Sequence, residues 1–140
     1  MTTEQIHTSA WLNRAFSAMA ELDSLITQRE TLKSIAERVT IALRDNDAST
    51  SINANNDTEN ALIELAAIRE SIETEIKSLV REYKEINNAI GKVEDGELRA
   101  LLRNRYLSFM TTEKIAEAMG YDSSTVKRKH KKALDKVEPI

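Results

Sequence analysis

Residues 98–137 read LRALLRNRYLSFMTTEKIAEAMGYDSSTVKRKHKKALDKV, and the part from Thr112 to Lys132 decides the fold. Ile115, Met119, Tyr121 and Val126 are apolar at the spacing that pins two short helices together. Ala116 is small where a second helix would cross close by. Gly120, four residues on, tolerates the positive φ of a tight turn. Thr111 or Thr112 starts the first helix, which ends at Met119, and Asp122 or Ser123 caps the second, which runs to about Val137. The pattern predicts a helix-turn-helix.

The second helix is projected at about 100° per residue. Val126, His130, Ala133, Leu134 and Val137 then share one arc, and Lys127, Arg128, Lys129, Lys131, Lys132 and Lys136 fill the rest with Ser124 and Thr125. Arg and Lys neutralise phosphates or read guanine edges, and hydroxyls suit phosphate or base contacts. The expected DNA-binding residues are therefore Ser123, Ser124, Thr125, Lys127, Arg128, Lys131 and Lys132, with Ala116, Gly120 and Val126 as turn and core of the motif. Lys129 stands where such a helix usually turns an apolar residue inward. Either its stem packs while its ammonium reaches solvent, or His130 takes the inner place.

Upstream, a helix over about Glu97–Phe109 presents Leu98, Leu101, Leu102, Tyr106 and Leu107 to a core, after a short break bracketed by Gly91 and Gly96 with Asp95 as a cap. Before it, two long stretches carry heptad seams. The first runs from about Thr3 to Arg44 along Trp11, Ala15, Ala18, Leu22, Leu25, Arg29, Leu32, Ala36, Val39 and Leu43. The second runs from about Glu59 to Lys92 along Leu62, Leu65, Arg69, Ile72, Ile76, Leu79, Tyr83, Ile86 and Ile90. Steps of three and four predict helices that pack as a long antiparallel hairpin. Arg29 and Arg69 break the seams, either as snorkelling positions or as a polar register device. The polar segment 45–58 between them reads as a flexible loop. The chain thus divides into a helical hairpin over 1–93, for oligomerisation or partner binding, and a helix-turn-helix domain over 94–140.

Composition agrees with an all-α chain. Among 140 residues there are three glycines and one proline, too few turns for a β-sandwich or barrel. The absence of cysteine excludes a disulfide scaffold, a thiolate zinc site and a cysteine nucleophile. There is no leading apolar stretch and no run that would span a membrane, which places the expected chain in the cytoplasm. Net charge is −3, yet residues 94–140 carry 10 basic against 8 acidic side chains while residues 1–93 carry 10 against 15. The positive charge gathers near one end.

Arg105-Tyr106, Thr112-Glu113-Lys114-Ile115-Ala116, Gly120, Val126 and Lys132-Ala133-Leu134 resemble region 4 of bacterial sigma factors. The layout, with a long helical part ahead of this module, is similar to small phage transcription regulators of the RinA/ArpU type. The resemblance implies promoter DNA binding and contact with RNA polymerase in a bacterial host cytoplasm. It implies that the residues just past the turn, Ser123, Ser124, Lys127 and Arg128, read DNA. Two of these are serines where sigma factors usually carry long charged residues, and a chain of this length has no room for the other sigma regions. The alternative reading is a coiled-coil assembly protein that binds DNA for packaging, like a small terminase subunit.

Other residues are read more plainly. His7 and His130 have no metal partner at helical spacing, there is no HExxH pattern, no phosphate loop and no triad, so no enzyme, metal or cofactor is expected. Glu70, Glu73, Glu75, Glu82 and Glu85 read as a solvated acidic face, or as one that repels DNA or meets a basic partner. Phe16, Met19, Ile26 and Ile35 widen the first seam beyond what one partner helix covers, which favours a homodimer through the N-terminal helices.

Overall fold

The computed structural model describes residues 1–45 and 52–139. It is all-α, with no strand among the described residues. The elements are α1 (Thr3–Leu12), α2 (Arg14–Asp45), α3 (Ile52–Gly91), α4 (Gly96–Leu102), a π-helical turn (Arg103–Leu107), α5 (Thr112–Met119) and α6 (Ser123–Leu134). No helix among the described residues is long and apolar enough to cross a membrane.

The chain folds as two units, Met1–Ala20 with Leu79–Ile140, and Glu21–Ser78. The first unit, the head, is closed from several directions. Leu12 and Ala15 from the N-terminal helices meet Ile86, Ala89 and Ile90 of α3, Leu98 and Leu102 of α4, and Ala133 and Leu134 of α6 in one buried cluster. A second cluster of Leu101, Ile115, Ala116 and Val126 holds α4, α5 and α6 together, with Met110, Met119 and Tyr121 at its margin. Helix ends are capped by side chains. Asp95 accepts from the backbone N–H groups of Glu97 and Leu98 at 2.9 and 3.1 Å, and Thr111 accepts from Lys114 at 3.3 Å. Such caps satisfy amide donors that a helix leaves open at its start.

In the second unit, the arm, α2 and α3 run antiparallel and pair through their seams. Leu25 and Ile72 are buried, and the Arg29 guanidinium donates to Glu73 at 3.2 Å. Past Arg29 and Arg69 the seam residues Leu32, Ala36, Leu62 and Leu65 are only half-buried and line a groove of about 770 Å³.

Four expectations need correction. The helix expected from Thr3 to Arg44 is present but carries a one-residue break at Asn13, still in right-handed helical conformation, between α1 and α2; asparagine is a weak helix former there. Helix α3 begins at Ile52, so residues 52–58 of the expected loop are helical, and the loop reading for residues 46–51 falls outside the described residues. The helix expected to reach Phe109 widens into a π turn in which the Ser108 N–H bonds five residues back to Arg103 at 2.9 Å. Phe109 then takes φ 59, a left-handed conformation unusual for an aromatic residue, with its ring edge-on to Phe16 at 5.3 Å. Finally, packing does not divide the chain at residue 93. Met1–Ala20 and the last turns of α3 belong to the same unit as α4–α6, because Leu12, Ala15 and Ile86 share one buried cluster with Leu98, Leu102 and Leu134.

Candidate nucleic-acid interface

Helix α6 is set by its two ends and its inner face. At its start Asp122 accepts from the Thr125 backbone N–H at 2.7 Å, and hydrogen bonds from Thr125 hold the Asp122 carboxyl below its ordinary value. Just before it, Gly120 has φ 75 and its N–H bonds to the Ala116 carbonyl, which reverses the chain out of α5. The Tyr121 N–H bonds to the same carbonyl at 3.0 Å. At the far end Gln5 of α1 works with both ends of its amide. Its oxygen accepts from Thr2 N–H at 2.9 Å, which closes a reciprocal cap on α1. Its nitrogen donates at 3.0 Å to the Lys131 carbonyl and at 3.0 Å to the Asp135 carboxylate. A carbonyl in the last turn of α6 thus has a buried side-chain donor.

The inner face carries Val126, Ala133 and Leu134, all buried, and His130 half-buried beside them. His130 Nε2 lies 2.6 Å from the Tyr106 hydroxyl, which lies 2.9 Å from Ser9 Oγ. The chain of contacts runs from α6 through the π turn to α1. Burial lowers the His130 pKa to about 4, with the nearby Arg105 charge acting in the same direction, and burial raises the Tyr106 pKa. Both groups are therefore neutral at pH 7, and a neutral pair satisfies itself in a partly desolvated site where a charged one would not.

Lys129 resolves between its two readings by a third route. Its ammonium lies 2.6 Å from Glu97 Oε1 on α4 and sits over the Tyr121 ring at 4.9 Å from the centroid. Tyr121 donates to the other carboxylate oxygen of Glu97 at 2.8 Å. These hydrogen bonds, led by Lys129, lower the Glu97 pKa, and the Glu97 hydrogen bond raises that of Lys129. The cluster ties α6 to α4 and takes Lys129 out of the free basic face.

Of the residues expected to meet DNA, Ser124, Lys127, Arg128, Lys131 and Lys132 are exposed on α6, and Ser123 and Thr125 are half-buried in its first turn. Arg128 donates to the Thr125 hydroxyl at 3.2 Å, so these two side chains form one group. Ala116 and Val126 are buried together, and Gly120 is exposed at the turn. The structure adds Gln5, Ser9 and Glu97 as residues that fix α6. Glu97 could have been found from its partner: a lysine at an inward position calls for a nearby acid. Gln5 and Ser9 lie more than 100 residues upstream of the carbonyl and histidine they serve, with no local pattern to reveal them. Of the glutamates read as a solvated face, Glu73 and Glu82 instead pair with Arg29 and Arg14, at 3.2 and 2.7 Å.

The family described as "Protein of unknown function (DUF1492)" matches residues 46–138, and the chain belongs to it. No curated protein and no solved structure matches the chain.

Proposed function

We propose that this member of the DUF1492 family is a DNA-binding transcription regulator of phage or prophage type, which lays α6 in the major groove of promoter DNA. One observation carries the reading. A helix held on its inner face by α1, α4 and α5 offers Ser124, Lys127, Arg128, Lys131 and Lys132 to solvent on its outer face. A helix fits the major groove of B-DNA, and backbone phosphates on either side are met by its flanking cations. With Lys129 engaged by Glu97, Lys127, Arg128, Lys131, Lys132 and Lys136 remain for phosphates. The resemblance to sigma region 4 adds contact with RNA polymerase to this reading.

Duplexes enriched by selection from a random pool, followed by fluorescence anisotropy across a salt series, test it. Neutralising about five phosphates gives a slope of log affinity against log salt of about −4.5. Arg128→Glu with Lys132→Glu abolishes binding while melting is unchanged, because both side chains are exposed. A flat salt dependence, or a pool from which no sequence is enriched, overturns the reading. Co-purification of host RNA polymerase with the tagged chain tests the finer part of the proposal separately.

A further inference from the structure

The arm has too little core for two helices of its length. Among its described residues only Leu25 and Ile72 are buried apolar side chains, although the seams continue well past them. Beyond Arg29 and Arg69 the helices enclose the groove of about 770 Å³, with Leu32, Ala36, Leu62 and Leu65 as its half-buried floor. Burial of apolar area is what holds paired helices, so an open floor of this kind calls for further helices to cover it.

The rim indicates what covers it. Along α2 it carries Glu30, Lys33, Glu37 and Arg44, which alternate in sign along one stripe. A partner of uniform charge, such as a nucleic acid or an anionic membrane, would meet repulsion at every second position. A two-fold pairing of the stripe with itself in the antiparallel sense avoids this. Lys33 of one copy then lies against Glu37 of the other, and the symmetric contact repeats on the far side of the axis near Ile35. In a parallel pairing like would meet like.

We propose that the groove is the self-association surface of the protein, filled by the same α2–α3 segment of a second copy in an antiparallel four-helix arrangement. The floor supplies the apolar core and the Lys33–Glu37 pairs set the register. The surface is the groove beyond Arg29 and Arg69, and not the Phe16–Ile35 stripe. In that stripe Met19 and Ile35 are half-buried, while Phe16, edge-on to the Phe109 ring, and Ile26 remain exposed; the alternating charges that fit a second copy lie on the rim of the groove. The inference stands apart from the DNA reading, since it concerns the arm alone.

Sedimentation equilibrium of the full chain across micromolar concentrations tests it without DNA. The expected species is a dimer, twice 15.8 kDa. Leu32→Glu with Leu65→Glu gives a monomer whose head still melts cooperatively. Lys33→Glu and Glu37→Lys, each alone, weaken the dimer by about tenfold, since each turns two attractive pairs into repulsive ones. The double exchange Lys33→Glu with Glu37→Lys restores the wild-type dissociation constant, since each intermolecular pair again joins opposite charges and residues 33 and 37 still pair as opposites at i,i+4 within each helix. A 15.8 kDa species at every concentration overturns the proposal. So does a dimer indifferent to Leu32→Glu with Leu65→Glu, and an exchange that fails to restore association overturns the antiparallel pairing.

Discussion

The head and the arm are built from the same sequence device and end in different states. In both, apolar residues recur at steps of three and four along α2 and α3. In the head that seam is closed by α1, α4 and α6, so Leu12, Ile86, Ile90, Leu102 and Leu134 are each at most 1% exposed. In the arm only the other seam is present, and Leu32, Leu62 and Leu65 stay half in solvent. A heptad seam therefore specifies which face is apolar and not how completely it is buried. Burial is decided by the number of elements gathered around the seam, and in the head the extra element comes from the opposite end of the chain.

Removing that element gives the largest effect. A chain lacking residues 1–12 loses Leu12 from the first cluster, Gln5 from the end of α6 and Ser9 from Tyr106. Its head is expected to melt without cooperativity and to bind DNA weakly, while a fragment confined to residues 94–140 fares no better. Point substitutions make the same contrast quantitative. Leu102→Ala costs about 2–5 kcal/mol by lost transfer and cavity formation, and Leu62→Ala costs about 1 kcal/mol or less. Chemical denaturation of both variants measures this, and equal losses would mean that head and arm do not differ in packing.

Next in size is the turn. Gly120 has φ 75, yet a Cβ placed on it would meet no atom within 4 Å. The cost of substitution is therefore conformational and not steric. Gly120→Val should lose about 1–3 kcal/mol as a β-branched residue in the left-handed region, Gly120→Ala less, and Gly120→Asn least. Thermal melting orders the three. An Asn variant as damaged as the Val variant would show that space, not φ, limits this position.

A smaller effect separates the units by pH. His130 has a pKa of about 4 in the folded head against 6.5 for the free side chain. Between those values the unfolded chain binds a proton that the folded chain does not, so stability falls as pH falls through the window and is fully present above it. The lowered carboxyl groups of Glu97 and Asp122 act the same way only at more acid pH. Melting temperature should decline from pH 6.5 to pH 4.5 in the wild type and stay flatter in His130→Gln. Parallel curves for the two proteins would remove His130 as the cause.

Much of this fold is legible in the residues. Asp95, Thr111 and Asp122 announce helix starts, Gly120 announces the left-handed turn, and helical projection alone puts Ser124, Lys127, Arg128, Lys131 and Lys132 on one outer face. These features are local, governed by propensity and capping within a few residues. The positive φ of Phe109 is not legible, because nothing about an aromatic residue favours it; it is held by the π turn before it and by the ring of Phe16. Nor is the place of the N-terminal helices, since Trp11 of α1 and Ala15 and Ala18 of α2 show the same period whether they face one helix or several. The arginines at 29 and 69 are the instructive middle case. They are visible as breaks in both seams, but only the structure shows that Arg29 donates to Glu73 across the pair and that both arginines line the groove.

The smallest effect concerns a flaw inside the well-packed unit. Trp11 packs at the edge of the first cluster, and its Nε1 is buried with no hydrogen-bond partner among the described residues. A buried donor left unpaired costs about 1–3 kcal/mol relative to a solvated one. Trp11→Phe removes that donor and keeps a ring in the site, but it leaves a gap where the larger indole lay. The two terms oppose each other, and the net change should lie within about 1 kcal/mol of zero. Trp11→Ala deletes the ring as well and should cost about 3 kcal/mol. The pair of variants isolates the nitrogen from the ring. If Trp11→Phe proves as damaging as Trp11→Ala, the indole N–H makes a hydrogen bond in solution, and the head is as fully satisfied in its polar groups as in its apolar ones.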